Sequence, residues 1–473
     1  MDYVDISFLL LFATLILNLV KRPKIGVNEP PLVPYRIPII GHTHRYIFDA
    51  ENFLRKCREK YGDPFSLYVF GSVITFAGRE TCHEILRNAD IFDFYKGIER
   101  LFPASYVFSR YKKFQSNGFI VRIVHEMMSG KINLYAPRIQ KELLFGIKKY
   151  FGDCKDQKVI RDISRLSSQI VAKTVANVTL GEEAAQFDDI IDSFAKVESD
   201  LVNMSLVPPI LSFIHHSLHT KLIMLLIKFG LNPIPRHRDI FFRRCKPIVE
   251  ERIHQRKKLG NNYIQKEDVL DFLLSEPEFK IDVVDDEYMD NLFGQFYSLV
   301  FASITTTAKA LSFVLFDYAG RPELWNEIYD EQLKIHNESN GNLSVKDANK
   351  MAKLDCFIKE SFRHSSDIDA AFSNKLFGET SNDFQPKRHI TSYSDGKIIY
   401  SPVTKINKFN LTFGDGKHAC PGRFFAILNI KIFIHKLILK YNIKTESGKV
   451  APHRIVSSFV FPPKSGLIFE NRD

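Results

Sequence analysis

The amino-acid sequence predicts a mainly α protein with small β-sheets, set behind a short N-terminal membrane anchor. From about Thr81 to Ile335, apolar residues recur at helical spacing. Near the start, two β-rich runs, residues 64–70 and 73–77, are split by Gly71-Ser72, a hairpin signal. Inside the helical body, residues 290–319 form an apolar run closed by Gly320, Arg321 and Pro322, a helix stop.

The first element is the anchor. Residues 6–20 read ISFLLLFATLILNLV without a charge, and Lys21, Arg22 and Lys24 follow at once. A bilayer core asks for roughly 20 apolar residues, so Tyr3 and Val4 extend the span. A cleaved signal peptide carries its positive charge before the apolar run, whereas here the charge comes after it. Basic residues just past the span place the bulk of the chain on the cytoplasmic side. Residues 25–50 hold prolines at 30, 31, 34 and 38, which deny a long helix and read as a stiff tether. Residues 52–61 are helix-like, and the hairpin comes next.

The remainder reads as one large domain. The 473 residues contain no Gly/Ser-rich or Pro-rich linker, and 45% hydrophobic content with 41 Phe supplies a full core, which excludes wholesale disorder. Breaks in the helical body are expected at Pro137, Gly152, Pro208-Pro209 and 233–235. Residues 290–319 are apolar nearly all round, which means burial in protein or lipid. Gln295, Thr305, Thr306, Thr307 and Lys309 disfavour lipid, so this run is expected as the central helix of the fold. Six cysteines, scattered without regular spacing, argue against a disulfide framework and for a reducing compartment. The net charge of +10 suits nucleic acid, an anionic membrane or an acidic partner. The basic residues are dispersed and no nucleic-acid motif is present, which leaves the membrane and the protein partner.

FGDGKHACPGRFFA, residues 413–426, concentrates the chemistry. A strong helical pattern over 425–441 follows Pro421, so Cys420 is expected at a helix N-terminus, where backbone N–H groups and the helix dipole favour a thiolate. Gly414, Gly416 and Gly422 allow tight turns and close approach to something flat, and Lys417, His418 and Arg423 place cations nearby. Zinc needs further Cys or His ligands at finger spacing, and a Cys-His hydrolase needs an orienting third group. A haem needs one axial ligand, a flat apolar cleft and cations for its propionates. A structural cysteine at a helix start is the simpler alternative.

Phe413, Gly416, Cys420 and Gly422 reproduce an F-x-x-G-x-x-x-C-x-G pattern, and here the sequence resembles the cytochrome P450 family of haem-thiolate monooxygenases. Glu360 and Arg363 resemble the family's E-x-x-R helix, a buried ion pair that Arg388 of F-x-P-x-R completes. Ala302, Thr305 and Thr306 resemble the oxygen-activation stretch of the central helix. The resemblance implies that Thr306 passes protons toward dioxygen, while Thr305 stands where many members carry an acid. It covers nearly the whole chain in family order, in wording most similar to fungal-type terpenoid, sterol and oxysterol hydroxylases. It implies the cytochrome P450 fold over residues 51–473, behind the anchor (1–24) and the tether (25–50).

Further implications concern cofactor and partners. Cys420 becomes the axial metal ligand of haem b (iron protoporphyrin IX), with Phe413, Gly416 and Gly422 shaping the loop and His418 meeting a propionate with help from His125 or Lys131. A bulky apolar lipid is hydroxylated with O2 and electrons from an NADPH-cytochrome reductase docking near Lys417 and Arg423, at the endoplasmic reticulum membrane. Two other readings stay open. One is a reductase-independent haem isomerase or dehydratase, suggested by the missing acid at Thr305. The other is a shortened, impaired form, because only 20 residues, 364–383, separate Arg363 from Phe384 and these are turn and loop formers.

Overall fold

The early hairpin sets the register of the N-terminal lobe. The structure, a computed structural model, describes residues 22–93, 96–97, 107–109, 118–205, 210–281, 283–365, 378–394, 397–407, 410–456 and 459–472. The anchor's apolar run lies outside them. Helices α1 (Thr43–Phe48) and α2 (Ala50–Tyr61) precede strands β1 (Phe65–Val69) and β2 (Ser72–Phe76). The strands pair antiparallel, with Val69 opposite Ser72, around a two-residue turn. Both turn residues, Phe70 and Gly71, take positive φ (49° and 73°), as the twist of a tight hairpin demands. Among the described residues no further strand joins the outer edge of β2.

Part of the stretch expected as a stiff tether is docked on β1. Val33 N–H donates to the Ser66 carbonyl at 2.9 Å, and Ser66 N–H donates to the Pro31 carbonyl at 2.9 Å. Val33 is buried with Phe53, Phe65 and Leu67 in a small N-terminal core. Prolines keep this chain extended, so its backbone groups are available to the edge of β1.

The body is helical, as the periodicity indicates. In order come α3 (Arg79–Arg87), α4 (Phe119–Ile123) running into a π turn at Val124–Ser129, α5 (Ile132–Tyr150), α6 (Ile163–Leu180) and α7 (Asp188–Ser205). Next are α8 (His216–Lys228), α9 (Ile234–Leu259), α10 (Val269–Ser275) and α11 (Asp286–Ala319). The last four are α12 (Trp325–Glu338), α13 (Val345–Lys350), α14 (Ala352–Ser365) and α15 (Arg423–Lys440). The break at Gly152 is real (φ 71°), and Pro233 caps α9. Pro208 and Pro209 lie outside the described residues. Pro137 does not break the chain but sits inside α5. Its ring costs about 3 kcal/mol in a helix, which the buried stripe of Tyr135, Ile139, Leu143 and Ile147 outweighs.

Helix α11 begins four residues before the expected start, because the Asp285 carboxylate accepts the Tyr288 N–H at 2.8 Å and caps it. Its 34 residues span about 51 Å. It is long and apolar enough to cross a membrane, yet it packs against α6, α7, α14 and α15 and forms the centre of the main core. Near its end the buried Asp317 accepts from Ser361 Oγ of α14 at 2.5 Å and from Arg321 Nη1 at 2.7 Å. The helix then stops at Gly320 by close approach rather than left-handed geometry: φ is −90°, and a Cβ there would lie 2.7 Å from Val450 Cα.

Small sheets complete the body. Strands β6 (Tyr441–Thr445) and β9 (Leu467–Asn471) pair with β3 (Lys158–Ile160) in the order β3-β9-β6. Two further hairpins are β4 (Ile390–Ser394) with β5 (Lys397–Tyr400), and β7 (Arg454–Val456) with β8 (Phe459–Phe461). Helical reading missed β3, whose partner comes from the far end of the chain. Within the short interval 364–383, residues 366–377 lie outside the described set and Gly378–Asn382 forms a 3-10 turn.

Gly320→Ala drives a methyl into the Val450 backbone and is expected to cost about 1–3 kcal/mol. Urea unfolding measures it, and an unchanged midpoint would show that the 450 loop yields freely.

Candidate active site

The cysteine loop is closed by its own backbone. Cys420 N–H donates to the Phe413 carbonyl at 2.8 Å, and Gly414 and Gly416 turn the chain at φ 71° and 63°. Helix α15 starts at Arg423 with Gly422 as its cap, so Pro421 stands just ahead of the first turn rather than in it. The Gly422 and Arg423 N–H groups point at the Cys420 sulfur. Burial nevertheless raises the thiol, and it outweighs the lowering by these two groups and the Arg423 guanidinium. The expected preference for thiolate is therefore reversed in the protein alone, and a bound cation must supply the missing stabilisation.

Neighbours hold the loop in place. Gly416 is needed against α3, because a Cβ there would sit 2.7 Å from the Leu86 carbonyl oxygen. The Asp415 carboxylate accepts from Arg87 Nε at 3.1 Å and lies 2.8 Å from His83 Nδ1. Arg423 is spent on carbonyls of the loop region, donating to Cys420 O at 2.7 Å and Thr404 O at 3.2 Å. Lys417 reaches Asp90 at 2.8 Å on the surface. The π turn also touches the loop: Ser129 Oγ donates to Pro421 O at 3.0 Å, and Val124 faces Gly422. His125 is exposed on that turn, while Lys131 is drawn away to Glu267 at 2.8 Å. Of the two cations named as helpers, His125 alone sits on an element that meets the cysteine loop.

Behind the loop, Glu360 on α14 is fully buried. Arg363 donates to both its oxygens, at 2.8 and 3.0 Å, and Arg388 Nε lies 3.2 Å from one of them. His389 Nε2 at 2.8 Å and Gln385 N–H at 2.8 Å fill the remaining positions. Burial by itself would raise this carboxyl, but the donors from His364, His389, Arg363 and Gln385 hold it far below the carboxylate range. Phe362, on the same helix, meets Phe413 edge-on with ring centroids 6.3 Å apart, joining the cluster to the cysteine loop. His389 escaped sequence reasoning, although it directly follows Arg388.

The third component is the middle of α11. This helix is buried along most of its length, but Ala302 and Thr306, one turn apart, are exposed. Thr306 Oγ1 donates back to Ala302 O at 2.8 Å. Thr305 lies on an adjoining face and is half-buried. Among the described residues no group of three His, Cys, Asp or Glu side chains could hold a metal.

A family model described as Cytochrome P450 matches residues 30–372 and 373–468. The chain belongs to the cytochrome P450 family. Its two matched stretches meet inside the short interval that follows α14. The chain is similar to lanosterol 14-alpha demethylase of Candida tropicalis, at 23% identity over 94% of this chain and 91% of that protein. It is also similar to a cytochrome P450 monooxygenase of Ganoderma lucidum (23%, 91% and 91%) and to ent-kaurene oxidase of Gibberella intermedia (23%, 74% and 70%). This P450 is a monooxygenase, an oxidoreductase, and its family implies a haem. The residues fit one: a lone sulfur held by two backbone N–H groups precedes a helix that packs on α11, whose middle turn is exposed at Ala302 and Thr306.

Glu360→Gln removes the charge that balances Arg363 and Arg388 and is expected to cost about 3–5 kcal/mol at neutral pH. A carboxyl held below its ordinary value of 4.5 gives stability that is complete above that pH and is lost as pH falls. Urea midpoints of the natural chain and the variant should therefore converge on acidification. A constant gap would show that Glu360 contributes by packing alone.

Proposed function

We propose that this P450 is a membrane-anchored haem-thiolate monooxygenase that hydroxylates a bulky apolar lipid, a sterol or terpenoid, using O2 and electrons from an NADPH-dependent reductase. The observation that carries it is one largely buried cysteine at the start of α15, with the Gly422 and Arg423 N–H groups on its sulfur, beside a central helix exposed at Ala302 and Thr306. Haem b, when bound, supplies the oxygen-activating redox chemistry. Cys420 would hold it through its sulfur, and His418, with His125 on the neighbouring turn, would meet its propionates. Ala302 is small and exposed beside it, and Thr306 Oγ1 would exchange its bond to Ala302 O for one to water and carry a proton inward. Exposed Lys417 supports a basic docking face for the reductase. Relatives named for lanosterol and ent-kaurene support a bulky lipid as substrate.

Membrane attachment, at the endoplasmic reticulum with the catalytic domain cytoplasmic, draws support from an apolar surface beside the N-terminal segment. Phe48, Ile210, Phe229 and Leu231 are 84%, 66%, 66% and 68% exposed. The hairpin turn joins this side, because Phe70 meets Phe213 at 6.5 Å between ring centroids. Such side chains gain from lipid what they lose in water.

The reduced carbon-monoxide complex is expected to show the red-shifted Soret band of a thiolate ligand, abolished by Cys420→His. Purified full-length chain without haem, or an unchanged band in the variant, sinks the reading. Deleting residues 1–24 should weaken vesicle binding without loss of haem. Phe229→Asp with Leu231→Asp should then lower the residual binding to phosphatidylcholine vesicles by about tenfold or more; equal binding would place the membrane face elsewhere.

A further inference from the structure

One stripe of α11 is polar at almost every turn. Asn291, Gln295, Ser298, Ala302, Thr306 and Lys309 follow one another at spacings of three or four, so they share a face of the helix. Ala302 and Thr306 form its exposed turn, and Asn291 and Ser298 are half-buried. Gln295 lies about 10 Å along the axis before Ala302 and is only 6% exposed.

The Gln295 carboxamide is the exception among the buried glutamines. Gln140 accepts the Leu343 N–H at 3.0 Å and donates to Asn342 at 3.4 Å. Gln169 accepts from the Tyr150 hydroxyl and donates to Asp192 at 2.6 Å. Gln332 Oε1 lies 2.9 Å from His435 Nδ1, and its Nε2 donates to Glu331 at 2.9 Å. Gln295 Oε1 is equally sealed from solvent, yet it meets no donor. A buried acceptor without a partner is costly and rare, and here it stands on the face that carries the exposed turn.

We propose that Gln295 receives a hydroxyl group of the substrate, so that this P450 acts on a lipid alcohol whose oxygen is held two helical turns from the carbon presented at Ala302 and Thr306. The inference rests on the monooxygenase reading above and narrows its substrate class. A hydroxyl fits because it donates to Oε1 and accepts from Nε2, whereas a ketone or an ether can only accept. A carboxylate is poorly served. Lys309 stands about 21 Å further along the axis, and Arg238, which α9 brings to this helix, is paired with Asp290 at 2.7 Å. The reaction that supplies the substrate is therefore one that leaves an alcohol on the lipid skeleton, and the product carries one oxygen more.

A purely structural amide is the competing explanation, and the two part on stability. A side chain that bonds to nothing in the free protein loses nothing when an apolar chain of the same length replaces it. The test uses the full-length, haem-loaded chain with Gln295→Met and Gln295→Leu. Cholestanol, cholestanone and cholestane form one matched series of probes, and farnesol, farnesal and farnesene another. By equilibrium dialysis the natural chain is expected to bind the alcohol of at least one series about tenfold or more tighter than its carbonyl and hydrocarbon partners. Both variants should lose that preference, keep their affinity for the hydrocarbon, and unfold at a temperature no lower than the natural chain does. Equal binding within both series, no binding of either alcohol, a preference that survives in the variants, or a melting temperature that falls in both overturns the proposal. The reduced carbon-monoxide spectrum separates the two failures. If the natural chain keeps the thiolate band, a negative result concerns Gln295 alone; if it lacks the band, the haem reading falls and takes this inference with it.

Discussion

The buried carboxylate of Glu360 is the constraint on which the cysteine side of the molecule depends. A bare charge in that position is expensive to bury, and removing any one donor would leave part of the cost standing. Arg363 from its own helix, Arg388 and His389 from the returning chain, and the Gln385 backbone all converge on it. The same arginines donate to the carbonyls of Thr380, Ser381 and Asp383, which fastens the far end of the short interval to α14. Through Phe362 and Phe413 the order extends into the cysteine loop. The described end of the interval is thus tied to the fold by charge.

A second balance governs the cysteine itself. Two backbone N–H groups and Arg423 favour the thiolate, and burial opposes it more strongly. The outcome is a thiol raised above its ordinary value.

The apolar face belongs to a different part of the chain. It gathers the proline-rich N-terminal stretch, the hairpin turn and the region around α8, which are far apart in sequence and adjoin because β1 offers an edge to residues 31–33 and Phe70 reaches Phe213. Docking of that stretch fixes residues 31–33 to the N-terminal lobe.

Local pattern determined much of this protein. The hairpin, the central helix, the mainly α character and the loop around Cys420 each rest on short-range rules: two-residue turns, helical spacing and a signature confined to ten residues. So did the pairing of Glu360 with Arg363, which needs only one helical turn. Tertiary structure decided whatever depends on residues distant in sequence. Pro137 stays inside α5 because buried neighbours outweigh its ring. Strand β3 exists because β9 returns to it, and Lys131 pairs with Glu267, more than a hundred residues away. Arg423 braces the carbonyls of its own loop, and burial raises the Cys420 thiol. Burial and long-range pairing set protonation and orientation, and a linear pattern carries neither.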